Sequence, residues 1–162
     1  MFLLKSKDQT LEKFKNWKTM IENQIDRKIK TLRTDNGLEF CSRAFDGFCN
    51  DHGILRHRTV RNTPQQNGVV ERMNRTLLEK VRCLLFTSSL SKSFWGEALS
   101  TAAHIVNRNP STALKLKCPE ELWTGRRLNL NYLKVFGCEA YAHKSKGKLE
   151  PRSIKCVFVG YQ

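Results

Sequence analysis

The chain has 162 residues, 40% hydrophobic and 27% charged, with 29 basic against 15 acidic side chains and a net charge of +14. That length suffices for one domain, or for one domain and part of another, and the apolar share excludes a wholly disordered chain. No apolar run approaches a membrane span and Met1–Leu4 is too short for a secretion signal, so charge points to an intracellular protein with a polyanionic partner.

Met1–Leu4 reads as the end of a buried strand. Ser6 with Gln9 forms a capping-box pattern, and Leu11, Phe14, Trp17 and Ile21 then recur at helical spacing, predicting a helix over Lys7–Gln24. Ile29–Thr34 reads as a strand, stopped by the turn chemistry of Asp35-Asn36-Gly37. Ser42 can cap a short helix that carries Phe45, Phe48 and Cys49 on one face and stops at Gly53. A short strand follows over Ile54–Val60, and Asn62–Gly68 is polar and loop-like, with one proline and one glycine.

Val70, Met73, Leu77, Val81 and Leu84 make a helical stripe that runs to about Thr87, with Glu71 in its first turn. A further helix is predicted over Ser93–Asn107, with Trp95, Leu99, Ala102 and Val106 facing inward, and a single proline-led turn at Pro119–Trp123. Trp17, Trp95 and Trp123 are expected in the core. Beyond Leu128 the texture changes to short strand-like runs around Leu133, Val135, Tyr141 and Val157–Val159, separated by Gly137, Lys144–Lys148 and Pro151. A boundary is expected near residues 124–130. The piece that follows is too short to fold stably alone.

The six cysteines contain no CxxC pair and read as buried reduced thiols. Cys41, Cys49, His52 and His57 are the right elements for zinc, but their spacing is far from that of a finger. Charge is uneven. Residues 1–34 carry +5, residues 35–71 carry −1, and residues 72–162 carry +10. The one window that is not basic is bounded by Asp35 and Glu71, which suits a divalent cation set within a phosphate-binding surface.

Magnesium-assisted phosphodiester chemistry requires hard oxygen ligands, and two neighbouring ions need a bridging carboxylate. Asp35 at a strand end and Glu71 at a helix start can supply such ligands, and the glutamate gains from the positive end of its helix. Taken singly, Asp35 also reads as a turn aspartate bonded to its own backbone, and Glu71 as an exposed first-turn glutamate. Gln66 and Asn67 precede Glu71 and can touch a DNA end. Arg72, Arg75 and Lys80 can meet phosphates or simply form a solvated face.

The words around these residues carry more. Thr34-Asp35-Asn36-Gly37-x-Glu39-Phe40 and Thr63-Pro64-Gln65-Gln66-Asn67-Gly68-Val69-Val70-Glu71-Arg72-x-Asn74-Arg75 closely resemble the integrase core of copia-type LTR retrotransposons. Ser93-Phe94-Trp95-Gly96-Glu97-Ala98, Leu133-Lys134-Val135-Phe136-Gly137-Cys138 and Lys155-Cys156-Val157-Phe158-Val159-Gly160-Tyr161 extend the likeness, in the expected order, over nearly the whole chain. The resemblance implies an α/β fold: a ribonuclease-H-like integrase core over 1–125, without its first strands, followed by part of an SH3-like β module over 126–162.

It also implies metal-dependent processing of DNA 3′ ends and strand transfer, with Mg2+ or Mn2+ as cofactor. The implied partners are element ends and target DNA, with a homo-oligomer in the full-length protein, no membrane, and a nuclear location. The family uses an Asp-Asp-Glu triad. Asp35 matches its second Asp and Glu71 its Glu, with thirty-five residues between them. The first triad Asp belongs on an earlier strand, upstream of the segment at which this chain starts, and Asp8 stands in the wrong context to replace it. The family's N-terminal zinc module is likewise without a counterpart. The chain is therefore expected to be a truncated copy, a decayed element or a cloned fragment that is inactive alone and binds metal weakly. The alternative expectation is a nucleic-acid-binding or assembly module without catalysis.

Overall fold

A computed structural model of the chain describes residues 2–60, 67–144 and 151–161. Two units result, Phe2–Arg72 and Met73–Gln162. Each has its own core.

In the first unit, a 3-10 turn at Lys7–Gln9 leads into α1 (Thr10–Ile25), which ends on left-handed Asp26 (φ 49°). The capping box of Ser6 and Gln9 does not form. Gln9 Oε1 accepts a bond from the Lys5 amide at 3.1 Å, while the Ser6 side chain makes no cap bond. The Ser6 side chain hydrogen-bonds the Asp8 carboxyl instead and lowers its pKa.

Strand β1 (Thr31–Thr34) pairs in parallel with β2 (Leu55–Arg58), in the register Thr31–Leu55 to Thr34–Arg58. Parallel neighbours need a crossover, which is supplied by α2 (Arg43–Asp51). The Ser42 hydroxyl caps α2 by accepting from the Phe45 amide at 3.2 Å, and left-handed Gly53 (φ 64°) follows its end. Phe45, Cys49 and Ile54 form the buried core, packed by Leu11, Phe14, Ile29, Leu32, Phe40 and Phe48. Phe14 stacks on Phe45 with ring centroids 5.2 Å apart, and Phe40 meets Phe45 edge-on at 5.7 Å. Cys49 behaves here as a small hydrophobe.

One polar knot joins α1 to β1. Glu22 is 7% exposed and accepts from the Ile29 amide at 2.8 Å, from Lys18 Nζ at 2.9 Å and from Lys28 Nζ at 3.3 Å. Lys18, one helical turn away, is also 7% exposed. A buried charge persists only when it is paired and hydrogen-bonded, and Glu22 is both.

Helix α3 (Gly68–Ser88) begins in the first unit and continues into the second. There α4 (Trp95–Arg108) follows a 3-10 turn at Lys92–Phe94, started by Ser91 Oγ accepting from the Ser93 amide. The short α5 (Pro119–Thr124) opens on its proline. Strands β3 (Glu139–His143) and β4 (Ser153–Val157) pair antiparallel. Val81, Ala98, Ala102 and Phe136 are buried together, flanked by Leu77, Leu84, Leu85, Leu90, Leu99 and Val159. Gly137 permits this packing: its φ is 82°, and a Cβ there would lie 2.2 Å from the Cβ of Ser88.

Four expectations are corrected. Phe2–Leu4 form no strand and are 40–48% exposed, because no described strand pairs with them. Trp95 and Trp123 are 53% and 55% exposed rather than in the core; small Ala98 and Ala102 occupy the inner face of α4 instead. Leu133–Val135 form no strand but lie between two turns, closed by Leu133 N to Leu130 O and Cys138 N to Val135 O. The last strand ends at Val157 rather than Val159, although the Gly137–Phe158 and Phe158–Cys138 backbone bonds prolong the ladder. Among the described residues, no helix is long and apolar enough to cross a membrane.

The Glu22 knot gives a pH signature. The bond from the Ile29 amide, followed by Lys18, lowers the Glu22 pKa from 4.5 to about 2. A carboxyl depressed by folding stabilises the fold fully above its unfolded value, and that contribution is lost as pH falls from about 4.5 towards 2. Urea denaturation at pH 7 and pH 3 is expected to show a steeper acid loss for the native chain than for Glu22→Gln. Equal losses would exclude the knot as the cause.

Candidate functional site

Asp35 sits at the C-terminal end of β1, and several bonds hold the turn that carries it. The ladder runs one step past the strands, with Thr59 N donating to Thr34 O at 3.0 Å. Asn36 Nδ2 then donates to Thr59 O at 2.7 Å, which pins the turn to the end of β2. The Gly37 amide donates to Asp35 Oδ1 at 3.0 Å. Asp35 is exposed. It is thus the backbone-bonded turn aspartate that its sequence also allowed, and one carboxylate oxygen is oriented while its side chain stays open to solvent.

Beneath the turn lies a residue that sequence reasoning missed. Arg56 is on β2 with its side chain 10% exposed. Its Nη2 donates to Thr34 Oγ1 at 3.2 Å and to Phe40 O at 2.9 Å, so it bridges both sides of the Asp35 turn. The guanidinium carbon stands 4.5 Å from the centroid of the Phe45 ring, and Nη1 is 3.7 Å from Asp46 Oδ1. A signal was present: Arg56 pairs with Leu32 in the parallel register, and Leu32 packs on the core. Its neighbour Arg58 forms the stronger pair with Asp46, 2.7 Å to each oxygen, and that pair raises its pKa.

Glu39 is a second missed residue. Its Oε2 is buried without a hydrogen bond, 3.5 Å from Lys7 Nζ. Its carboxyl packs against Gly37 so closely that a Cβ on Gly37 would lie 2.9 Å from Glu39 Cδ and Oε2. Glycine at 37 is therefore a matter of space, since its φ of −57° is open to any residue.

Glu71 is exposed in the first turn of α3. Arg72 and Arg75 are exposed on the same helix, and Lys80 is half-buried. Arg72 folds back over the helix start: a Cβ on Gly68 would meet its Nη1 at 3.2 Å. Asn67 is half-buried in the turn entering α3, and Gln66 lies outside the described residues. Asp35 and Glu71 belong to the same unit. Among the described residues no group of three or more His, Cys, Asp or Glu side chains is placed to hold a metal.

Three of the four zinc candidates are otherwise engaged. Cys49 is fully buried among apolar side chains, the one buried cysteine of the six, whereas Cys83 is exposed and the others are half-buried. His52 lies against Phe48 with ring centroids 4.1 Å apart and meets Phe48 O through Nδ1 at 2.9 Å. His57 Nδ1 accepts from Arg33 at 3.3 Å. As a donor set for magnesium, Asp35 and Glu71 fit in chemistry, being hard and exposed oxygens. They are two carboxylates where a two-ion site asks for more.

Residues 138–162 match the family model of the retroviral polymerase SH3-like domain. The chain is 48% identical over 164 residues to the retrovirus-related Pol polyprotein from transposon TNT 1-94 of Nicotiana tabacum, covering 99% of this chain and 12% of the polyprotein. In fold it is similar to a chain of the simian T-cell lymphotropic virus intasome bound to PP2A regulatory subunit B56 gamma. That match has a TM-score of 0.58 and 20% identity, over 93% of this chain and 52% of that one. It is also similar to the HTLV-2 integrase catalytic core domain in complex with magnesium, in its trimeric form. Here the TM-score is 0.53 and the identity 21%, over 72% of this chain and 68% of that one.

The Gly37–Glu39 contact is testable by a double-mutant cycle. Gly37→Ala is expected to cost about 1–3 kcal/mol by overpacking. Most of that is expected to return in Gly37→Ala/Glu39→Ala, where the crowding carboxyl is gone. Additive effects in urea denaturation would show that the contact does not limit position 37.

Proposed function

This chain belongs to the retrovirus-related Pol polyproteins of copia-type LTR retrotransposons, as an integrase-like piece of them, and on that premise we propose that its chemistry is metal-dependent DNA integration. Its fold is that of the ribonuclease-H-like integrase core with an SH3-like β module. It spans 12% of the tobacco polyprotein. In this reading residues 1–125 are the core and 126–162 the start of the SH3-like module.

Asp35 and Glu71 are the metal-binding catalytic carboxylates. The observation that carries this is the built turn at the end of β1: Asp35 is exposed, with Oδ1 oriented by the Gly37 amide, and Arg56 and Asn36 hold the turn in place. The magnesium of the HTLV-2 core supports Mg2+ or Mn2+ as the cofactor. Bound divalent ions would supply Lewis acidity for the attacking and leaving oxygens of phosphodiester displacement. The chain's own residues orient the carboxylates and receive DNA. Gln66 and Asn67 meet the DNA end, and Arg72, Arg75 and Lys80 meet phosphates. A homo-oligomer working on element ends and target DNA in the nucleus completes the reading.

A polypeptide of these 162 residues has counterparts for two of the three triad carboxylates. It is expected to bind divalent cations weakly and to lack strand transfer on its own. A second reading, a nucleic-acid-binding module without catalysis, is favoured by the net charge of +14.

The test is Mn2+ titration by calorimetry together with a strand-transfer assay on the purified polypeptide. Weak Mn2+ binding that disappears in both Asp35→Asn and Glu71→Gln is expected, with no strand transfer. Mn2+ binding unchanged by both substitutions would remove the carboxylate assignment. Robust strand transfer abolished by Asp35→Asn would overturn the inactivity of the isolated polypeptide and exclude the non-catalytic reading.

A further inference from the structure

Away from the two carboxylates, the second unit holds a cleft of about 500 Å3 between the end of α4, α5 and the segment that follows α5. Arg108, Arg126, Arg127, Asn129 and Tyr132 line it, together with Glu120. Three guanidinium groups face one carboxylate, and that carboxylate is already committed: Arg108 Nη2 is 3.2 Å from Glu120 Oε1. Arg108 is further held by Nη1 donating to His104 O at 3.3 Å. Arg126 and Arg127 are exposed and form no ion pair among the described residues. The cleft therefore carries two uncompensated positive charges.

Its walls are built rather than loose. Gly125 (φ 68°) ends α5 with its amide on Glu121 O at 2.9 Å. Leu128 N donates to Glu121 Oε1 at 3.1 Å and Arg126 N to Thr124 Oγ1 at 3.3 Å, so the backbone on either side of Arg127 is anchored to the short helix. Tyr132 is anchored from the other side. Its hydroxyl is 3.0 Å from His104 Nε2, and its ring meets His104 and Tyr161 edge-on at 5.9 and 5.8 Å. Tyr161 in turn stacks on His104 at 4.2 Å and bonds both backbone groups of Lys134. Tyr132 remains 44% exposed and offers an aromatic wall to the cleft.

We propose that this cleft is a second nucleic-acid contact, in which Arg126 and Arg127 hold a backbone phosphodiester and Tyr132 flanks the adjoining nucleotide. A guanidinium matches phosphate oxygens in geometry, and an aromatic face accepts any base. The volume lies in the range of small-ligand sites, enough for one nucleotide rather than a duplex. The surrounding residues 72–162 carry +10, which draws a polyanion to it. The inference rests on the DNA-binding reading above and adds a site outside Asp35, Glu71 and the α3 cations.

The experiment measures binding of a fluorescent oligonucleotide by anisotropy across a salt series. It compares the native chain, Arg126→Ala/Arg127→Ala, and an equal loss of charge at exposed Lys115→Ala/Lys117→Ala. Loss of the contacts to that one phosphate is expected to reduce the log-affinity against log-salt slope by about 1 in the arginine variant. The lysine variant is expected to stay close to native, and both variants to keep the native thermal midpoint. If the native chain binds DNA and the arginine variant matches it in affinity and slope, the cleft is not a contact. Equal losses in the two variants would also sink it, since general charge would then suffice. A native chain that binds no oligonucleotide would instead overturn the DNA-binding reading on which the site depends.

Discussion

A guanidinium set under the end of a parallel strand pair organises the first half of this molecule. Arg56 is nearly buried, yet it satisfies Thr34 and Phe40 on either side of the turn that presents Asp35. Burying such a charge is costly unless it is compensated. Here the compensation is shared between two hydrogen bonds, the face of Phe45 and the carboxyl of Asp46. The arrangement links three levels. The core ring that the strands pack against also supports the cation that fixes the turn.

The same economy appears where α1 meets β1. Glu22 and Lys18 are interior charges, and the Ile29 amide that donates to Glu22 is the entry to the strand. Polar groups at these two places do what additional apolar area does in a larger core. The first unit is small, and its buried apolar residues are few: Phe45, Cys49 and Ile54. Small domains bury a modest share of their surface, so directional bonds carry more of the specification of one structure.

The second unit relies on close approach instead. Ala98, Ala102 and Gly137 are small where the backbone must come near α3 and the last strand. The large side chains of the same stretch, Trp95 and Trp123, remain outside. This is the reverse of what ranking by hydrophobicity alone predicts, and the reason is volume. A tight crossing leaves no room for an indole. The aromatic residues that do order this unit, His104, Tyr132 and Tyr161, are amphipathic and lock one another through ring contacts and hydroxyl bonds.

By itself the sequence determined the order and type of the helices, because a helical stripe such as Val70 to Leu84 is a local pattern with a local cause. It determined the turn at Asp35-Asn36-Gly37 for the same reason, and family membership through motifs that run the length of the chain. Tertiary structure alone decided that Arg56 bridges both sides of that turn, and that Arg126, Arg127 and Tyr132 share a cleft with Arg108. The Arg56 bonds join groups 16 and 22 positions apart in the chain. Pairing of that kind is set by the register of β1 on β2 and by the fit of helices in a core. Neither leaves a periodic trace in the residues themselves.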